Sequence, residues 1–101
     1  MEAEQILNRA LILLEFDKLA EAEAALHKAV EQAEQQQDEL VLISAMCCLG
    51  DFLYSEGRDH EARNWLKKAL ALRNEENQDE LKDEFAMAEE FLYEMGELPI
   101  N

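Results

Sequence analysis

The stretch Leu49–Leu72, LGDFLYSEGRDHEARNWLKKALAL, decides the fold. Both of its ends are rich in helix formers, yet Gly50 and Gly57 interrupt the first half. Ala62 and Ala69 occupy the second half, where larger apolar residues would bury more surface. Gly57 sits where a helix can end in a left-handed residue, and Asp59 is placed to cap the next N-terminus. The stretch therefore reads as two antiparallel helices joined by a tight turn at Gly57 and Arg58. Helices joined by so short a turn must pack closely. Small residues at Gly50, Ala62 and Ala69 let their backbones approach, while Phe52, Leu53, Trp65 and Leu66 fill the flanking space.

Working outward, the same unit recurs on both sides. Leu13–Val30, LLEFDKLAEAEAALHKAV, matches Leu53–Leu70 at an offset of 40, pairing Leu13 with Leu53, Asp17 with Gly57, Ala22 with Ala62, Leu26 with Leu66 and Ala29 with Ala69. EFLYEMG, from Glu90 to Gly96, repeats DFLYSEG, from Asp51 to Gly57, at an offset of 39 with Phe, Leu, Tyr and Gly in register. The spacing predicts helices near 2–16, 18–37, 39–56, 59–74 and 78–95, with Asp17, Asp38 and Asn77 as further caps. Pro99 falls just past the last helix, where it interrupts nothing. That makes two helix pairs and one additional helix.

Composition agrees with an all-α chain. The 101 residues are dominated by Ala, Leu, Glu, Gln and Lys, with one proline and three glycines. A hydrophobic content of 49% suits one domain spanning 1–101, too short to support two independent cores. No basic region leads into an apolar run at the N-terminus, and no apolar stretch approaches the length of a membrane span. Cys47 and Cys48 are adjacent, and helix neighbours point about 100° apart, so they are expected as reduced thiols of a cytoplasmic protein. With 24 acidic residues against 9 basic, the net charge is −15, which disfavours nucleic acid and anionic membranes and favours a basic protein or peptide partner.

No catalytic or metal-binding pattern emerges. His27 and His60 lie apart from the cysteines, there is no glycine-rich phosphate loop, and no Gly-x-Ser-x-Gly elbow. Pairs such as Glu23 and His27, or Asp79 and Asp83, arise readily in Glu-rich helices and read as solvated faces. The expectation is a non-enzyme without cofactor or metal. Five of the nine basic residues, Arg58, Arg63, Lys67, Lys68 and Arg73, fall on the fourth helix and its approach. They are expected to neutralise glutamates of the preceding unit, the alternative being a complementary patch for self-association. The fifth helix carries Phe85, Met87, Ala88, Phe91, Leu92 and Met95, more apolar residues than one packing face requires. Phe91, Met95 and Met87 are therefore candidates for a homodimer interface.

The residues now on the page resemble the tetratricopeptide repeat family. Leu49-Gly50, Leu53, Gly57, Ala62, Leu66, Ala69 and Leu70 follow its spacing of small, large and turn positions. The first unit keeps the pattern as Ala10, Leu13, Asp17, Ala22, Leu26, Ala29 and Val30, and the third as Phe85, Ala88, Glu89, Leu92 and Gly96. The chain departs from the family in its unit spacing, near 40 rather than about 34 residues, with the excess placed in a longer second helix through EQAEQQQ. Ile6, Met46 or Phe85 stands where a tryptophan is usual, and Asn74 lies near the usual proline.

The resemblance implies antiparallel pairs stacked as a short right-handed superhelix of about two and a half repeats: unit 1 near 2–37, unit 2 near 39–74 and a half unit near 78–95. A generic helical bundle is the alternative. By family register the concave face is lined by Glu4, Leu7, Leu11, Leu14 and Glu15, then Ser44, Cys47, Asp51 and Tyr54, then Asp83, Ala86, Glu90, Tyr93 and Glu94. This set mixes apolar residues with carboxylates and holds no lysine or arginine, so the resemblance does not extend to members that grip a partner's C-terminal carboxylate. It implies instead a protein-interaction adaptor for a basic or amphipathic segment. The alternatives are a dedicated small acidic chaperone of the secretion type, holding one assembly-prone subunit, and a self-associating scaffold. The bland reading of Leu7, Leu11 and Leu14 is core, and of the carboxylates a solvated face.

Overall fold

The computed structural model describes residues 1–97, and over these the chain is all-α, with five helices and no strand. The expectation for Pro99 lies outside the described residues. The helices are α1 (Ala3–Glu15), α2 (Leu19–Gln36), α3 (Glu39–Ser55), α4 (Asp59–Ala71) and α5 (Lys82–Glu94). The first three match the sequence-based bounds to within one residue, whereas α4 stops at Ala71 instead of 74 and α5 begins at Lys82 instead of 78.

The reason lies in two asparagines. The Asn74 side-chain oxygen accepts hydrogen bonds from the backbone N–H of Glu76 at 2.8 Å and of Asn77 at 2.9 Å. Asn77 returns the favour, accepting from Asn74 N–H at 2.9 Å and donating its amide to the Leu72 carbonyl at 2.9 Å. These bonds satisfy backbone groups in turn geometry that a helix would otherwise have used. Asn77 is consequently a buried knot of the α4–α5 connection, at 2% exposure, and not the cap of α5.

Four helix ends close alike. Asp17 (φ 58°), Gln37 (φ 56°), Gly57 (φ 77°) and Gly96 (φ 82°) adopt the left-handed conformation. The following residue then donates to a carbonyl five positions back, as Lys18 does to Leu13, Asp38 to Ala33, Arg58 to Leu53 and Glu97 to Leu92, each within 2.9–3.0 Å. Asp17 thus terminates α1 and does not cap α2, which follows Lys18 with no side-chain cap bond. Asp59 is likewise the first residue of α4, preceded by Arg58 without a side-chain cap, and its carboxylate acts on the helix dipole instead. Asp38 does cap, accepting from Val41 N–H at 3.3 Å.

Packing divides the chain into two compact units, Met1–Ala45 and a second beginning at Met46, with the boundary inside α3. In the first, α1 buries Ala3, Ile6, Leu7 and Ala10, while α2 buries Ala22, Leu26, Ala29, Val30 and Ala33. Helix α2 has 18 residues against 13 in α4, so the extra length does fall in EQAEQQQ. That extension ties down the start of α1: Gln36 accepts from Ala3 N–H, and Gln32 donates to the Met1 carbonyl, both at 3.0 Å.

In the second unit, a Cβ placed on Gly50 would stand 2.5 Å from Leu66 Cδ2 and 3.6 Å from the Ala62 carbonyl oxygen. The close α3–α4 approach expected from the small residues is therefore present. Phe52, Leu53, Ala62, Leu66 and Ala69 are buried beside it. Trp65 is half-buried on α4, with the Lys68 ammonium 4.7 Å from the centre of its ring.

Three of the basic residues on and just after α4 pair forward along the chain. Arg73 reaches Glu89 at 3.3 Å, and Arg63 and Lys67 approach Glu97 at 3.0 and 3.5 Å. The Arg63 Nε–H is not aimed at that carboxylate, so the contact is charge pairing without a hydrogen bond. Arg58 pairs locally with Glu61 at 2.9 Å. Helix α5 buries Phe85, Ala88 and Leu92, and Met87, Phe91 and Met95 are each half-buried.

Candidate partner-binding groove

The second half of α3 and helix α5 lie side by side and run in the same direction. At one end the Cys47 thiol lies 3.8 Å from the Glu84 carbonyl oxygen. At the other, the Tyr54 and Phe91 rings meet at 4.5 Å between centroids, tilted by 31°, and the Tyr54 hydroxyl donates to Glu94 Oε1 at 3.0 Å. Around the Cys47 end is an open groove of about 330 Å³, lined by Cys47, Cys48, Asp51, Asp83, Glu84 and Met87. Three carboxylates thus border a floor of two thiols and a thioether, with no lysine or arginine among the lining residues.

The electrostatics follow from this crowding of acids. Burial, then the neighbouring Cys48 and Glu84, pushes the Cys47 thiol up to about 12. Burial, then Asp51 and Glu84, pushes Cys48 up to about 11. Both thiols stay protonated at neutral pH, unbridged, and poorly suited to nucleophilic or ligand roles. Burial also raises the Asp51 carboxyl, and the bond to Glu94, ahead of burial and nearby acids, raises the Tyr54 phenol.

Several residues chosen by register come together here. Cys47, Asp51 and Asp83 line the groove, and Tyr54 and Glu94, further along the same two helices, bond to each other. Ala86 lies elsewhere, in a depression shared with Arg73, Gln78, Asp79, Lys82, Phe85 and Glu89. Glu90 and Tyr93 are exposed on α5. In the first unit, Leu7 is buried in the core, Leu11 and Glu15 are exposed and Leu14 is half-buried. Sequence register missed Cys48 and Glu84, and it assigned Met87 to self-association although Met87 lines the groove. The signal for Met87 was present: it lies four residues after Asp83, as Asp51 lies four after Cys47, so each pair shares one helix face.

Among the described residues, no group of three or more His, Cys, Asp or Glu side chains is arranged to hold a metal ion, and no helix is long and apolar enough to cross a membrane. Comparison of the chain with protein-family models, curated proteins and solved structures finds no match.

Proposed function

We propose that the chain is a non-catalytic, tetratricopeptide-like adaptor that binds a basic or amphipathic segment of a partner protein. The carrying observation is the α3–α5 groove, where Asp51, Asp83 and Glu84 border a floor of Met87 and protonated cysteines with no basic residue lining it. The negative rim attracts a cationic segment over long range, and the floor accepts its apolar side chains. The chain's net charge of −15 adds to the attraction.

The test is affinity capture with the wild type and an Asp51→Lys, Asp83→Lys double variant, with retained proteins identified by mass spectrometry. Loss of one basic protein from the variant supports the reading, provided the same protein binds the purified wild type directly. Equal retention by both forms defeats it.

Self-association is the competing reading, and a different surface favours it. Ile12 on α1 and Phe16 at its C-terminal cap, four positions apart, are 54% and 71% exposed. Sedimentation over a range of concentrations separates the two: an adaptor holds a constant mass, whereas a scaffold grows.

A further inference from the structure

The exposed face of α1 is arranged symmetrically about Ile12. At about 100° per residue, Arg9 and Phe16 fall to one side of Ile12, and Asn8 and Glu15 to the other. Arg9 and Asn8 precede Ile12 by three and four positions, and Glu15 and Phe16 follow it by three and four. Donors thus lie before the centre, and a carboxylate and a ring lie the same distance after it. All five residues are exposed, Ile12 and Phe16 by more than half, and Leu11 beside them is exposed as well. Among the described residues, Arg9 and Glu15 enter no ion pair. The opposite face of α1 is the one that buries Ala3, Ile6, Leu7 and Ala10.

We infer that this face is the contact between two copies of the chain, with their α1 helices antiparallel and the Ile12 side chains meeting on the two-fold axis. Such an axis sets each flank of one helix against the same flank of the other and reverses the order along it. Arg9 therefore comes level with the partner's Phe16 to within about 1.5 Å along the helix, and Asn8 with the partner's Glu15 likewise. A guanidinium meets a ring and an amide donates to a carboxylate, each contact made twice. A partner of unlike sequence has no use for this symmetry, so the occupant is a second copy. Antiparallel helix dipoles add to the attraction. The net charge of −15 on each copy opposes it. A contact built on one helix is also small, below about 1,200 Å² in total. The dimer is consequently weak and reversible, and it closes at two copies because each copy has spent its face. No groove residue takes part, so the inference stands apart from the adaptor reading.

Sedimentation equilibrium of the full chain, from micromolar to millimolar concentration in salt that screens its net charge, tests the contact. The mass should rise from one copy to two and stop. An Ile12→Gln, Phe16→Gln variant changes exposed side chains only, so it should melt like the wild type while its dimer weakens about tenfold or more. A wild type that stays monomeric at the highest concentration overturns the inference. So does one that grows past two copies, or a variant that dimerises as well as the wild type. Register is read separately, by mixing Asn8→Cys and Glu15→Cys chains, each in a Cys47→Ala, Cys48→Ala background, and adding a short thiol cross-linker. Links joining position 8 to position 15 should dominate. A predominance of links from 8 to 8 and from 15 to 15 overturns the antiparallel two-fold.

Discussion

Gly50 of α3 and Leu66 of α4 are in direct apposition: a Cβ on Gly50 would lie 2.5 Å from Leu66 Cδ2 and 2.7 Å from its Cγ. Leu66 is fully buried and cannot swing away into solvent. Glycine within a helix normally costs about 1 kcal/mol relative to alanine, so Gly50→Ala would stabilise an exposed helix. Here overpacking costs about 1–3 kcal/mol and outweighs that gain. Gly50→Ala is expected to lower the thermal midpoint, and Ala62→Leu across the same seam to do so by a similar amount. A midpoint raised by Gly50→Ala would show that the helices are not in this contact.

The left-handed helix ends make a prediction of opposite sign. Gln37 has φ 56°, and a residue with a Cβ in that region carries a penalty of about 1–2 kcal/mol that glycine escapes. Gln37→Gly should raise stability by about 0.5–1 kcal/mol after glycine's own entropy cost, while Gly57→Ala, at φ 77°, should lower it. Denaturant titration of the two variants checks the pair.

Asn77 holds the α4–α5 connection by accepting from Asn74 N–H and donating to the Leu72 carbonyl. Asn77→Ala strands both of those groups in a buried site, and Asn77→Asp replaces the donor with a second acceptor. Each should cost about 1–3 kcal/mol. Amide hydrogen exchange should rise in residues 72–81 first, because the damage is local.

The thiols link stability to alkaline pH. Their ordinary value is 9.0, and folding raises Cys47 to about 12 and Cys48 to about 11, so above pH 9 the unfolded chain releases protons that the folded chain retains. The stabilisation is complete below pH 9 and is lost as pH climbs toward 11–12. The raised Tyr54 phenol acts with the same sign from its own ordinary value upward. Urea midpoints measured from pH 7 upward should fall, and a Cys47→Ala, Cys48→Ala variant should show a shallower fall. At neutral pH both thiols should react slowly with thiol reagents until the chain is unfolded.

Helix number, the first three helices' bounds, the long α2 and the Gly50–Ala62 seam were all legible in residue spacing. These features rest on short-range periodicity and on side-chain size, which a linear chain displays directly. The same is true of Gly57 and Gly96, whose left-handed backbone was foreshadowed by their place at the end of each LY-x-x-G motif. Asp17 and Asp59 misled because an aspartate beside a helix start looks like a cap whether or not its side chain reaches the N–H groups.

Folding in three dimensions settled the rest. Asn74 and Asn77 gave up a helical turn because their side chains found each other and the backbone, a reciprocal geometry with no periodic signature. Arg63, Lys67 and Arg73 paired forward with Glu97 and Glu89 because charge pairing depends on distance through space, and α5 is the element brought alongside α4. Cys48, Glu84 and Met87 joined the groove for a similar reason. The sequence places each residue on a face of its own helix, but which faces meet is set by the packing of one helix on another.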